Sequence, residues 1–77
     1  MMNVLPIRLD TQSDVIKLCD LATQLGDDVH ITLEDGKGHV ADAKSLLGCM
    51  YGKVEFKEPF LRSEYEGLSD VFRDFLR

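Results

Sequence analysis

The stretch Ala41–Met50, which reads ADAKSLLGCM, decides how the rest of the chain is interpreted. It holds an acidic residue, Asp42, followed by Ser45 and a tight apolar cluster among small residues. An aspartate at a helix start accepts a hydrogen bond from a free N–H and suits the positive end of the helix. We therefore expect Asp42 to cap a short helix that stops near Tyr51-Gly52. The apolar residues of that helix are Leu46, Leu47 and Met50.

Upstream of this stretch, the apolar pattern predicts an edge strand and an amphipathic helix. Val4–Leu9 alternates with the period of a half-buried strand, and Pro6 places that strand at a sheet edge. Thr11–Asp14 has the spacing of a capping box, with Ser13 as the alternative cap. The helix that follows is expected to end at Gly26. Its apolar stripe consists of Val15, Leu18, Cys19, Ala22 and Leu25.

Three more segments alternate between apolar and polar residues and are predicted as strands. Val29–Leu33 is the second strand, and the glycine-containing turn Glu34–Gly38 leads into a short antiparallel third strand, His39–Ala41. Downstream of the quoted stretch, Lys53–Lys57 alternates again and is predicted as the fourth strand, ended by Pro59.

The last part of the chain is predicted as a helix. Ser63–Glu66 has the spacing of a capping box, and Gly67 weakens the helix by about 1 kcal/mol relative to alanine. Its apolar residues are Leu61, Tyr65, Leu68, Phe72, Phe75 and Leu76. The whole pattern predicts a single α+β domain over residues 1–77, a two-layer open-faced sandwich in the order β-α-β-β-α-β-α. Three helices cover one face of a four-stranded antiparallel sheet with strand order 1-4-2-3.

Composition narrows the classes of function. The chain has 77 residues and a net charge of −5, which argues against nucleic acid and anionic membranes as partners. The sequence has no apolar run near the roughly 20 residues of a membrane span and no signal-peptide pattern, so a soluble cytoplasmic protein is expected. Cys19 and Cys49 fit neither a disulfide framework nor a zinc motif and are expected to be free thiols packed in the core.

The element order, with Asp42–Gly48 opening the second helix, resembles the histidine-containing phosphocarrier protein (HPr) family of the bacterial sugar phosphotransferase system. Asp42–Gly48 looks like that family's signature of Asp or Asn, any residue, Lys-Ser, two hydrophobic residues and Gly. The end of the second strand and the start of the turn, Ile31-Thr32-Leu33-Glu34, also match at the residue level. The resemblance covers nearly the whole chain in architecture.

One departure from the family bears directly on function. The family's phosphoryl-carrying histidine lies in the loop between the first strand and the first helix, and the corresponding loop here, Asp10–Asp14, has no histidine and no arginine. Its aspartates would repel a phosphate. We therefore do not expect a phosphocarrier. The alternatives are a phosphoryl-transfer protein that uses Ser13 or Asp14 as acceptor and a degenerate domain without a partner.

The resemblance instead directs attention to Ser45. A dedicated kinase phosphorylates the matching serine in the family, and the helix that follows is a docking patch, so we expect a regulatory module that binds proteins. The alternative for Ser45 is a residue that only starts the helix, and core packing is the alternative for the apolar cluster. The expected docking residues are Lys44, Leu46, Leu47, Met50 and Tyr51. The expected partners are phosphotransferase-system components, an HPr kinase or a transcriptional regulator.

The sequence contains no nucleophile–base pair, metal cluster or phosphate loop, so we expect no enzyme activity and no cofactor. The histidines His30 and His39 are expected to face solvent from the second and third strands. An adventitious metal site that they would form with Glu34 or Asp35 is the less favoured alternative.

Overall fold

The computed structural model describes residues 2–77, and within them four strands form one antiparallel sheet in the order β1-β4-β2-β3. The elements are β1 Asn3–Pro6, α1 Gln12–Gln24, β2 Ile31–Glu34, β3 Val40–Asp42, α2 Leu46–Glu55, β4 Phe60–Ser63 and α3 Leu68–Val71, followed by a 3-10 turn, Arg73–Phe75. The predicted α+β open-faced sandwich with strand order 1-4-2-3 is confirmed.

The core lies between the sheet and the helices. In register across the sheet, Leu5 pairs with Leu61, and Leu61 pairs with Leu33 on its other side, so one row of leucines faces the helices. Burying such side chains is the main source of stability in a domain of this size. The buried apolar residues are Leu5, Ile7, Val15, Leu18, Ala22, Ile31, Leu33, Ala43, Cys49, Phe56, Leu61, Leu68, Phe72 and Phe75.

Helix α1 begins and ends as its sequence predicts. Thr11 is the N-cap, and Thr11 and Asp14 form both hydrogen bonds of the capping box. The chain then turns at Gly26, whose φ of 90° lies in the left-handed region that glycine adopts without steric cost. None of the helices in the described part of the chain is long and apolar enough to cross a membrane.

The prediction of a fourth strand at Lys53–Lys57 is wrong, and so is the prediction that the second helix stops near Tyr51-Gly52. Helix α2 continues to Glu55, and the fourth strand is Phe60–Ser63. Gly52 does not end the helix: a Cβ there would lie 2.5 Å from Leu33 Cδ2, so glycine allows α2 to approach β2 closely.

The helix start predicted at Asp42 is also wrong. Ser45 is the N-cap of α2, while the Asp42 carboxylate accepts the N–H of Lys44 at 2.9 Å in the preceding turn. The third strand is Val40–Asp42, one residue later than predicted, so Asp42 still belongs to the sheet.

The predictions of a long terminal helix and of a capping box at Ser63–Glu66 are wrong as well. Ser63 lies in β4, where its hydroxyl donates to the carbonyl of His30 at 2.7 Å and accepts the N–H of Tyr65 at 3.1 Å. Leu61 is therefore a strand residue. Of the predicted terminal helix, only the four residues Leu68–Val71 are α-helical. The 3-10 turn after them supplies Phe75 to the core.

The residues after the 3-10 turn lie along the outer edge of β1. Ile7 and Leu76 form an isolated antiparallel bridge. The N–H of Arg8 donates to the carbonyl of Phe75 at 2.8 Å, and the N–H of Arg77 donates to the carbonyl of Pro6 at 3.2 Å. The edge of β1 near Pro6 is therefore paired rather than free.

Candidate functional site

The start of α2 is fixed from both sides by backbone and side-chain hydrogen bonds. Ser45 has extended backbone angles, and its Oγ accepts the N–H of Gly48 at 3.1 Å. The preceding turn is tied to the sheet, because the N–H of Ala43 donates to the carbonyl of Ile31 at 3.0 Å. Ser45, the expected phosphorylation site, is therefore a partly buried N-cap residue at the first turn of a helix.

Lys44 is held against the end of α1. Its ammonium group donates to the carbonyl of Gly26, just after the C-terminus of α1. A positive charge is favoured there, because the carbonyl groups at a helix C-terminus carry partial negative charge. Lys44 was expected to contact partners, but it also has this internal role: it joins the start of α2 to the end of α1.

The exposed side of α2 is apolar. Leu47 is 80% exposed, Tyr51 51% and Leu46 45%, so three of the expected docking residues lie on the surface. Val54 is 79% exposed on the same side. With about 100° between successive residues, these four positions span an arc of about 140°. We call the surface formed by Leu46, Leu47, Tyr51 and Val54 the docking face.

The opposite side of α2 packs on the core. Cys49, Gly52 and Phe56 are buried, whereas Met50 is partly buried and packs against the core cluster. Met50, an expected docking residue, thus contributes to packing as well as to the surface. Phe56 is in edge contact with Tyr51, with ring centroids 5.7 Å apart. The outward position of Tyr51 is therefore supported by a core aromatic ring.

Sequence reasoning missed Val54. A helix through this segment would have been indicated by the spacing of Cys49, Gly52 and Phe56, which places them on one side of an α-helix. The alternation of Val54 and Phe56 with charged residues gave the competing strand prediction. Because the helix runs on, Val54 extends the docking face by about one turn beyond Tyr51.

The start of α1 differs from the start of α2 in its chemistry. The Asp14 carboxylate accepts the N–H groups of Asp10 and Thr11, each at 3.0 Å. These hydrogen bonds, first that of Thr11 and then that of Asp10, lower the pKa of Asp14. Arg8 pairs with Asp10, with 3.0 Å between the guanidinium and the carboxylate. N–H groups that could bind a phosphate at this helix start are therefore occupied by a carboxylate.

The two histidines have different surroundings. His39 Nδ1 is 2.7 Å from Asp35 Oδ2, and its ring stacks on Phe56 at a centroid distance of 6.0 Å. Burial raises the pKa of Asp35, but hydrogen bonds from the N–H of Lys37 and from His39 outweigh it, and the net pKa is lowered. His30 precedes β2 and is exposed. Among residues 2–77, no group of three or more His, Cys, Asp and Glu side chains could hold a metal ion.

Both cysteines are free thiols beside the turn that leads into α2. Cys19 is partly buried on α1, and its Sγ donates to the carbonyl of Lys44 at 3.4 Å. Cys49 is buried on α2, and its Sγ donates to the carbonyl of Ala43 at 3.2 Å. Burial, together with the charges of Cys19 and Asp42, raises the pKa of the Cys49 thiol to about 12.

Comparison with known proteins does not assign the chain to a family. No family model matches it, and no curated protein or solved structure matches it significantly.

Proposed function

We propose that this protein is an HPr-like module that binds partner proteins through the docking face of α2 and does not carry a phosphoryl group. The observation that carries the proposal is the exposed apolar side of α2, with Leu47 and Val54 each about four-fifths exposed. The element order and the strand order are the features expected from the resemblance, and the helix after Ser45 carries four of the expected docking residues. They support the HPr-like part of the proposal.

The grouping of the exposed apolar side chains suits protein binding. Exposed apolar side chains are ordinary when scattered, but Leu47, Tyr51 and Val54 lie together on one helix face. Full burial of a leucine or valine side chain contributes about 1.5–3 kcal/mol. A partner that covers the docking face would thus gain several kcal/mol from these residues before the costs of association.

The charge around the docking face indicates the partner's chemistry. Residues 43–57 contain the three lysines Lys44, Lys53 and Lys57 and one acidic residue, Glu55, whereas the whole chain has a net charge of −5. The segment that carries the docking face thus has more lysines than acidic residues, on a protein with a negative net charge. We propose that the docking face binds an apolar protein surface with an acidic rim, since complementary charge speeds association and excludes partners of the same sign.

Ser45 is the proposed point of regulation. A phosphate on its Oγ would lie beside the free N–H groups and the positive end of the α2 dipole. It would also place about two negative charges next to the exposed Leu46 and Leu47. Phosphorylation would therefore change the charge of the docking face without moving the helix.

The first experiment separates the proposed module from a phosphocarrier. The protein is incubated with phosphoenolpyruvate and the general enzyme of the phosphotransferase system, and separately with an HPr kinase and ATP, and mass shifts are read. We expect no phosphoryl group from phosphoenolpyruvate, and one from the kinase that is absent in Ser45→Ala. Transfer from phosphoenolpyruvate would contradict the proposal and favour Ser13 or Asp14 as acceptor.

The second experiment tests the docking face itself. Titration calorimetry with the general phosphotransferase enzyme and with the HPr kinase compares the wild type with the double variant Leu47→Asp, Val54→Asp. We expect the wild type to bind at least one of the two, and the double variant to bind at least tenfold more weakly. Val4→Asp is the matched control, because Val4 is 52% exposed on the open side of the sheet. Equal weakening by the control, or no wild-type binding to either protein, would overturn the proposal.

A further inference from the structure

Cys19 and Cys49 belong to different helices but bind the same short piece of backbone. Cys19 Sγ donates to the carbonyl of Lys44 at 3.4 Å, and Cys49 Sγ donates to the carbonyl of Ala43 at 3.2 Å. Because Ala43 and Lys44 are consecutive, the two thiols donate to the carbonyl groups of adjacent peptide units. The charge of Cys19 also contributes to the raised pKa of Cys49, as expected for neighbouring groups.

Two packed helices come close enough for a disulfide between residues that face each other across the contact. Helices α1 and α2 contact each other directly. Packed helices have axes about 8–10 Å apart, and their Cα atoms lie about 2.3 Å from the axis. Residues that face each other directly across such a contact therefore have Cα atoms roughly 3.4–5.4 Å apart. A disulfide requires Cα atoms about 4.4–6.8 Å apart.

From this geometry we propose that Cys19 and Cys49 are a reversible oxidation site, which forms an intramolecular disulfide between α1 and the first turns of α2. The inference goes beyond the proposed docking function and does not depend on it. The oxidant is a small-molecule disulfide, for which glutathione disulfide is the probe.

The reaction proceeds by two thiol–disulfide exchanges. The partly buried Cys19 attacks one sulfur of glutathione disulfide, which forms a mixed disulfide and releases one glutathione thiolate. Cys49 Sγ then attacks Cys19 Sγ, forms the internal disulfide and releases the second glutathione. The protein loses two electrons and two protons, and glutathione disulfide is reduced to two glutathione molecules.

The order of the two steps follows from the environments of the thiols. Cys49 is buried and its pKa is raised to about 12, with Cys19 and Asp42 as the titratable groups that raise it, so it does not react first. At pH values below that pKa, the fraction of Cys49 in the thiolate form increases about tenfold for each unit by which the pH rises. Closure of the internal disulfide is thus the slow step, and its rate should increase with pH between pH 7 and pH 9.

The test uses the full chain in native buffer with glutathione disulfide, followed by peptide mapping without reduction. We expect monomers that have lost both free thiols and carry a Cys19–Cys49 disulfide, about 2 Da lighter than the reduced protein. In Cys49→Ala the reaction should stop with one glutathione bound to Cys19. In Cys19→Ala the Cys49 thiol should stay free.

Other products would overturn the proposal. These are a wild-type protein that retains glutathione on Cys19 at pH 9, disulfide-linked dimers as the main product, and two thiols that remain free after prolonged exposure. The wild-type map decides the question by itself, so the result does not depend on whether a cysteine variant folds.

Discussion

The starts of α1 and α2 look alike and differ in one group. Each helix has a hydroxyl at its N-cap, where Thr11 accepts the N–H of Asp14 and Ser45 accepts the N–H of Gly48. The first turn of α1 adds the Asp14 carboxylate, which accepts two further N–H groups, whereas the first turn of α2 has no acidic residue. The same local motif therefore gives a helix start already occupied by an anion and one that would favour added negative charge.

The largest expected effect concerns how closely each helix approaches the sheet. Helix α1 buries Ala22, but α2 needs Gly52, because a Cβ there would lie 2.5 Å from Leu33 Cδ2 in the core. We expect Gly52→Ala to lower the free energy of unfolding by about 1–3 kcal/mol, despite the better helix propensity of alanine. Urea unfolding measures this. Val54→Ala on the exposed side is the control and should change stability by less than about 0.5 kcal/mol.

Removal of either N-cap hydroxyl should lower the free energy of unfolding by a similar amount. The two positions should respond differently to an added negative charge. Thr11→Ala and Ser45→Ala should each lower the free energy of unfolding by about 1 kcal/mol. Ser45→Asp should restore most of that loss, because a carboxylate can replace the hydroxyl at an unoccupied helix start. Thr11→Asp should not, because it adds a third carboxylate beside Asp10 and Asp14. Equal recovery at both sites in urea unfolding would show that the two starts are equivalent.

A smaller effect should appear as pH dependence. The pKa of Asp14 is lowered in the folded protein, so its stabilising contribution is present above its unfolded value of 3.8. That contribution is lost as the pH falls through the lower folded pKa. Below pH 3.8 the wild type should therefore lose stability more steeply than Asp14→Asn. Urea midpoints at pH 7, 4 and 2.5 measure the difference, and parallel pH profiles for the two proteins would contradict it.

The smallest expected effect on stability is at the docking face. Leu47→Asp and Val54→Asp should each change the free energy of unfolding by less than about 0.5 kcal/mol, because both side chains are about four-fifths exposed. Their effect on partner binding should be far larger. A loss of stability comparable to that of Gly52→Ala would mean that these side chains serve folding rather than recognition.

The sequence predicts the fold well where several local signals agree. For α1, the Thr11–Asp14 capping box, the apolar stripe and Gly26 all indicate the same helix, and the structure has it. The strand order follows from the edge proline, Pro6, and from the crossover rules, and it is confirmed. The signals for α1 are local, so they do not depend on knowing the tertiary contacts.

The sequence fails where a short pattern fits two structures. Lys53–Lys57 alternates like a strand, yet Phe56 also continues the buried side of α2 together with Cys49 and Gly52. Contact with the sheet decides between them, and that contact is not visible in five residues. The candidate site was affected in the same way: Leu46, Leu47, Met50 and Tyr51 on α2 were expected docking residues, but Val54 was missed because it was placed in a strand.

The pairing at the two sheet edges has a consequence for the protein in concentrated solution. The edge of β1 near Pro6 is covered by residues 75–77, and the opposite edge strand, β3, has only three residues, Val40–Asp42. Exposed strand edges are templates on which a second chain can add its own strand. Each edge therefore leaves little backbone for such growth, and removal of residues 75–77 should increase the formation of β-rich aggregates.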